Sequence, residues 1–121
     1  MTVHIGELAE RTALSLRTIR HYDEVGLLHP SARTDGGFRV YSEDDYERLL
    51  LIRQARSLGF GLEEIAEMLD VLNSRRDAPR AVTSADLEPI LREATARREA
   101  LASDLSRADA FIAVISDRMA G

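Results

Sequence analysis

Within SLRTIRHYDEVGLL, residues 15–28, two arginines, a histidine and a tyrosine stand close together at Arg17, Arg20, His21 and Tyr22. Arg17 and Arg20 are three residues apart and share a face if the stretch is helical. A guanidinium offers a planar fork of donors that suits phosphates and the acceptor edge of guanine. A phenol hydroxyl can donate to a phosphate oxygen. The chemistry available here is recognition of something negatively charged.

Other chemistries lack their parts. The chain has no cysteine, which removes disulfides, thiolate metal sites, iron–sulfur ligation and cysteine nucleophiles. It shows no nucleophile–base pair, no metal-ligand spacing and no phosphate-cradling glycine loop. Asp35-Gly36-Gly37 reads as a turn, and Glu63-Glu64 as helix-starting charges. The expectation is a non-enzymatic protein without metal or cofactor. No run approaches the roughly 20 apolar residues of a membrane span. The opening MTVHIGELAE carries acids where an export signal has its apolar core, so a cytoplasmic protein is expected. The net charge of −5 argues against an indiscriminate polyanion binder. Its distribution is uneven: residues 1–41 hold 5 Arg and 5 acids, whereas residues 42–121 hold 11 Arg and 16 acids. The N-terminal third is the part an anion tolerates. His4, His21 and His29 all fall there, as surface or groove residues.

Those basic residues need an element to hold them. IGELAERTAL has Ile5, Leu8 and Ala9 at helical spacing and predicts a short helix ending near Thr12. After Ala13 and Leu14, Ser15 is an N-cap. Leu16, Ile19, Val25 and Leu27 then supply the apolar side of a second helix, stopped at Gly26. Two short helices joined by a few residues make a helix-turn-helix pattern. Pro30 follows, and Asp35-Gly36-Gly37, flanked by SART and FRVYS, predicts a small hairpin in which Phe38 and Val40 alternate with Arg39 and Tyr41. Ser42, with Glu43, Asp44 and Asp45 behind it, starts a third helix through Tyr46, Leu49, Leu50, Ile52 and Leu58 to a stop at Gly59. A fourth begins near Gly61 on the stripe Leu62, Ile65, Ala66, Leu69 and Leu72, with Pro79 beyond it.

The last helix is expected over residues 86–119, capped by Ser84 or Asp86, with Pro89 tolerable only in its first turn. Its apolar positions alternate in steps of four and three, which is a coiled-coil spacing. At 1.5 Å per residue it would be roughly 50 Å long, too long to bury its stripe on the small body before it. Its simplest partner is its own copy, paired through Leu91, Leu101, Leu105, Ala108, Ile112 and Ile115. The expected fold is mainly α: a winged helix-turn-helix domain at residues 1–75, a connector at 76–85, and a dimerisation helix at 86–119.

This order of elements, with IGELAERTALSLRTIRHYDEVGLL and RTDGGFRVYSEDDYERLLLIRQARSLGFGLEEIAEML, resembles the mercury-resistance-regulator (MerR) family of bacterial transcription factors. The match covers about residues 3–70, and several motifs recur in order. The resemblance implies a second helix in the major groove and a wing on the backbone, with DNA contacts at Ser15, Arg17, Thr18, Arg20, His21, Tyr22, Arg33, Phe38, Arg39 and Tyr41. His21 and Phe38 stand where the family usually has tyrosine, and Gly61 replaces a Ser or Thr cap. The resemblance further implies a homodimer on a near-palindromic operator in a promoter spacer. Such a dimer bends and untwists the DNA and so acts on RNA polymerase indirectly through the promoter. Cysteine-based sensing of soft metals or oxidants is excluded by composition. The small-molecule effector, if the protein has one, is not readable; an apolar pocket near Phe60 and Phe111 is one place for it. Two alternatives keep the fold: an architectural or recombination-accessory DNA binder, and a coiled-coil module whose winged domain binds protein.

Overall fold

A computed structural model describes residues 2–28, 32–33, 35–37, 39–77 and 82–121, giving only the backbone at 2, 32–33 and 73–77. The expected features at His29, Pro30, Phe38 and Pro79 lie outside the described residues, as does the side chain of Arg33. The elements in chain order are β1 (Thr2–His4), α1 (Ile5–Thr12), α2 (Leu16–Glu24), β2 (Ala32–Arg33), β3 (Arg39–Ser42), α3 (Glu43–Ser57), α4 (Leu62–Asp77) and α5 (Ser84–Ala120). The fold is mainly α, as expected. The chain divides into two compact units, Met1–Leu69 and Asp70–Gly121.

In the first unit, α1 touches α2, α3, β1 and β3. Leu8, Ile19, Leu28, Leu49, Ile52 and Ile65 are fully buried there. Each helix boundary has a local cause. Ala13 turns α1 off by adopting φ 57, a left-handed conformation that side chains other than glycine seldom take. The Ser15 hydroxyl accepts from the Thr18 amide at 3.1 Å and so caps α2. At the end of α2, the amides of Leu27 and Leu28 both donate to the Tyr22 carbonyl, with Gly26 at φ 82 making the reversal. Ser42 caps α3 in a full capping box: its hydroxyl accepts from the Asp45 amide while the Asp45 carboxylate accepts from the Ser42 amide.

The strands form a three-stranded antiparallel sheet in the order β1-β3-β2. The predicted hairpin is β2–β3, in register Ala32↔Val40 and Arg33↔Arg39. β1 was not expected; it pairs Val3 with Tyr41 and places β3 at the sheet centre. The phase of β3 therefore differs from expectation. Tyr41, opposite the buried Val3, is the strand's fully buried side chain, whereas Arg39 and Val40 are half-buried.

In the second unit α5 runs for 37 residues, about 55 Å. Its cap is Thr83, not Ser84 or Asp86: the Thr83 hydroxyl accepts from the Asp86 amide, and the Asp86 carboxylate accepts from the Thr83 amide. With the start moved upstream, Pro89 is the sixth residue of the helix, beyond its first turn. It has no N–H to give to the carbonyl four residues back. No residue of α5 is buried.

Candidate nucleic-acid interface

The exposed side of α2 is built by simple helical geometry. At 100° per residue, Arg20, Glu24, Arg17, His21 and Val25 fall on one arc, and Ile19 and Tyr22 fall opposite. Burial follows that division. Arg17, Arg20 and His21 are exposed, Thr18 is half-buried, and Ile19 and Tyr22 lie in the core. Two expectations are corrected by this. Leu16 and Val25, expected in the core, are 39% and 48% exposed. Tyr22, expected at the DNA surface, is only 6% exposed, because it stands three residues from Ile19 on the packing face. Its ring lies 6.3 Å from that of His21.

The wing residues divide similarly. Tyr41 is fully buried, so it supports β3 from inside and does not reach a duplex. Arg39 is half-buried and is engaged within the fold: its Nε lies 2.8 Å from Asp23 Oδ2. This ion pair ties the central strand of the wing to the last turn of α2, and with the carboxylate only 13% exposed, salt screens the pair little. Ser15 is also occupied locally, donating to the Thr18 hydroxyl at 2.9 Å as well as capping the helix. Arg17, Arg20 and His21 are thus the expected contact residues exposed on α2, and Arg33 is placed only by its backbone pairing with Arg39.

Three arginines that sequence reasoning left in the background have definite tasks. Arg48 Nε donates to the Leu27 carbonyl at 2.7 Å, fixing the chain that leaves α2 onto α3. Arg11 forms a two-pronged pair with Glu43 at 3.0 and 3.1 Å and lies 3.9 Å over the Tyr46 ring, joining α1 to α3. The Arg11 hydrogen bond holds the Glu43 carboxyl below the usual carboxylate range. Arg56, near the end of α3, lines a groove of about 350 Å³ with Arg17, Thr18, His21, Tyr22 and Leu62. No local signal in RQARSLGF could have placed Arg56 beside α2, since the contact is made by the packing of three helices.

On α5 the row expected to pair two copies is open to solvent: Leu91, Leu101, Leu105, Ile112 and Ile115 are all exposed large apolar residues, and Ala108 is exposed between them. Phe111, next to this row, is exposed too, whereas Phe60 is buried in the other unit.

Comparison with known proteins decides the family. Residues 3–72 match the family described as MerR HTH family regulatory protein, and residues 46–113 match the family described as MerR, DNA binding. The chain belongs to the MerR family of DNA-binding transcriptional regulators. Among MerR relatives it is similar to the transcriptional regulator ZntR of Escherichia coli K12, at 36% identity over 97% of this chain and 80% of that one. It is also similar to the transcriptional activator mta of Bacillus subtilis 168, at 47% identity over 64% of this chain but only 30% of the activator. Among solved structures, the N-terminal part of that multidrug transporter activator superposes with a TM-score of 0.62 at 33% identity, covering 98% of this chain and 99% of the other. The chain thus spans under a third of one MerR relative's length and four-fifths of the other's. Among the described residues no helix is long and apolar enough to cross a membrane.

Proposed function

We propose that this chain is a homodimeric transcriptional regulator of the bacterial cytoplasm, and not an enzyme. It binds a near-palindromic operator within a promoter spacer and alters transcription by bending and untwisting the DNA. Residues 1–75 carry the DNA contacts and residues 86–119 the dimer contact. One observation carries most of this reading: α2 turns Arg17, Arg20 and His21 outward while Ile19 and Tyr22 anchor it and Asp23 braces it to the wing through Arg39. A helix held rigidly from behind, with arginines in front, suits entry into the major groove. Phosphate contacts fix its register, and base-edge contacts supply sequence.

The exposed apolar row of α5 favours a symmetric dimer over the accessory alternative, which needs no such surface. Two half-sites held by one dimer supply the backbone contacts that offset a deformation cost of several kcal/mol. This chain offers no thiolate for a soft metal. Selection of bound duplexes from a random library tests the proposal. An enriched inverted repeat is the expected result, and the selected site, placed in a promoter spacer, should change transcript yield in vitro when the protein is added. No enrichment, from a protein that sediments as a monomer, would overturn the proposal in favour of an accessory or protein-binding module.

A further inference from the structure

Leu16 opens α2 and is 39% exposed, although its neighbours on that side of the helix carry charge. Single exposed leucines are common on protein surfaces; the position of this one sets it apart. The start of α2 is fixed by its cap: the Ser15 hydroxyl accepts from the Thr18 amide at 3.1 Å, and the Ser15 carbonyl accepts from the Ile19 amide at 3.1 Å. The direction of the Leu16 Cα–Cβ bond is fixed with it, and in a helix that bond tilts toward the N-terminus. Arg20, one turn further on, stands about 40° from Leu16 around the helix axis, so the two share an edge of the exposed arc. Both are exposed. The packing of α2 is carried by Ile19 and Tyr22, which are buried, and Leu16 takes little part in it. Val25, the exposed apolar residue at the other end of α2, lies about 180° from Leu16. It follows Glu24, whose carboxylate opposes the approach of a polyanion.

We propose that Leu16 is a specificity-determining residue, which reads one thymine of the operator half-site through its C5-methyl group. The inference rests on α2 being the element that enters the major groove. In a helix docked there, the N-terminal residues are the ones that reach base edges. Most of what the major groove displays is a hydrogen-bond donor or acceptor, and the thymine methyl is its apolar feature. A leucine at that end gains free energy where its surface leaves water together with another apolar group. Against the amino group of cytosine or the N7 of a purine, the same leucine strips water from a polar atom and returns no hydrogen bond, which costs affinity. Leu16 thus selects twice, by attraction to the methyl and by a penalty at the other bases. Arg20 beside it reads by hydrogen bonds, so the two side chains on this edge recognise different chemistry in nearby base pairs.

The test uses the full chain and its selected operator duplex at fixed salt. Each thymine of the half-site is replaced in turn by deoxyuridine, in both half-sites together, which removes the methyl and keeps the base pairing. Burying one methyl is worth about a fourfold change in affinity, so one position is expected to lose about sixteenfold when both half-sites are changed. In Leu16→Ala, the thymine and deoxyuridine duplexes are expected to bind equally at that position. An effect of the methyl on duplex shape alone would persist in this variant. Leu16→Met keeps a long apolar side chain and is expected to retain the preference. Arg20→Ala is expected to bind more weakly and still retain it, because its contact is separate. Selection from a random library with Leu16→Ala is expected to lose thymine at that one position and to keep the rest of the repeat. Melting curves check that the variants are folded, as the exposure of both residues leads one to expect. A wild type indifferent to deoxyuridine at every position overturns the proposal. So does an unchanged preference in folded Leu16→Ala, or a loss in that variant that is equal on all duplexes. A wild type that enriches no duplex at all refutes the regulator reading itself, an outcome distinct from these.

Discussion

Arg20 and Tyr22 are two residues apart and face opposite ways, and the difference sets what each contributes. Arg20 is exposed on α2 and has no part in packing. Arg20→Ala should weaken specific DNA binding by roughly 1–3 kcal/mol with the melting temperature unchanged, as measured by titration of the operator and by thermal melting. Unchanged affinity would move the reading helix elsewhere. Tyr22 is buried against the core. Tyr22→Ala should lower stability by about 3–5 kcal/mol, the range for emptying a buried aromatic site. DNA binding should then fall in step with the folded fraction, and full stability in a chemical denaturation series would refute the burial. Among the described carboxylates, Glu43 is one whose titration folding alters. Its carboxyl is held low by the hydrogen bond from Arg11, so in the acid range the folded chain holds fewer protons than the unfolded one, and stability there rises with pH. The contribution is present above the ordinary carboxylate range and lost as pH falls through the lowered value. Wild type should therefore lose its advantage over Glu43→Gln on acidification, and added salt should shrink that advantage at neutral pH because the pair is partly exposed. Melting-temperature differences that do not move with pH would show that the pair contributes nothing.

At the scale of elements, the first unit is a set of helix starts and stops tied together by a few side chains. Ser42 and Thr83 form complete capping boxes at α3 and α5. Gly61 before α4 has half of one: Glu64 reaches back to the Gly61 amide, but glycine has no hydroxyl to return the bond. A Cβ added at Gly61 meets only Glu64 Oε1, at an ordinary 3.5 Å. Gly61→Ser should raise stability by a few tenths of a kcal/mol. A lowered melting temperature would mean that the backbone there cannot accept a side chain. The pair between Arg39 and Asp23 acts at this scale too. It ties the central strand β3 to the last turn of α2, so a residue expected at the duplex also has a partner within the fold.

At the scale of the whole molecule, α5 is the element that cannot be explained by this chain alone. None of its 37 residues is buried, yet Leu101, Leu105, Ile112 and Ile115 recur at coiled-coil spacing. A charge placed in the middle of that row should separate two copies. Leu105→Asp is expected to sediment as a monomer and to lose operator affinity while keeping the fold of the first unit. A dimer that survives the substitution would show that the pairing row lies elsewhere.

Much of this was legible in the sequence because the determining interactions are local. Ser15 and Ser42 as caps, Gly26 and Gly59 as stops, the Asp35-Gly36-Gly37 turn and the period of the last helix each depend on residues within a turn or two of one another. Together with the apolar stripes of α1 and α4, those signals define the five helices, the hairpin and the family. What they could not convey is which side of an element is buried, since that depends on a neighbour distant in the chain. β1 contributes only three residues, too few for a pattern, yet its pairing puts Tyr41 inside. The packing of α2 took Tyr22 into the core and left Leu16 and Val25 outside. Arg11, Arg39 and Arg56 looked alike as sequence letters; one became a staple, one a brace and one the wall of a groove. The sequence by itself determined the order of the helices and the hairpin, most of their ends and the regulator family, because caps, turns and periodicity are short-range. Only the tertiary structure decided which arginines and aromatics face outward, because that is set by contacts between segments far apart in the chain.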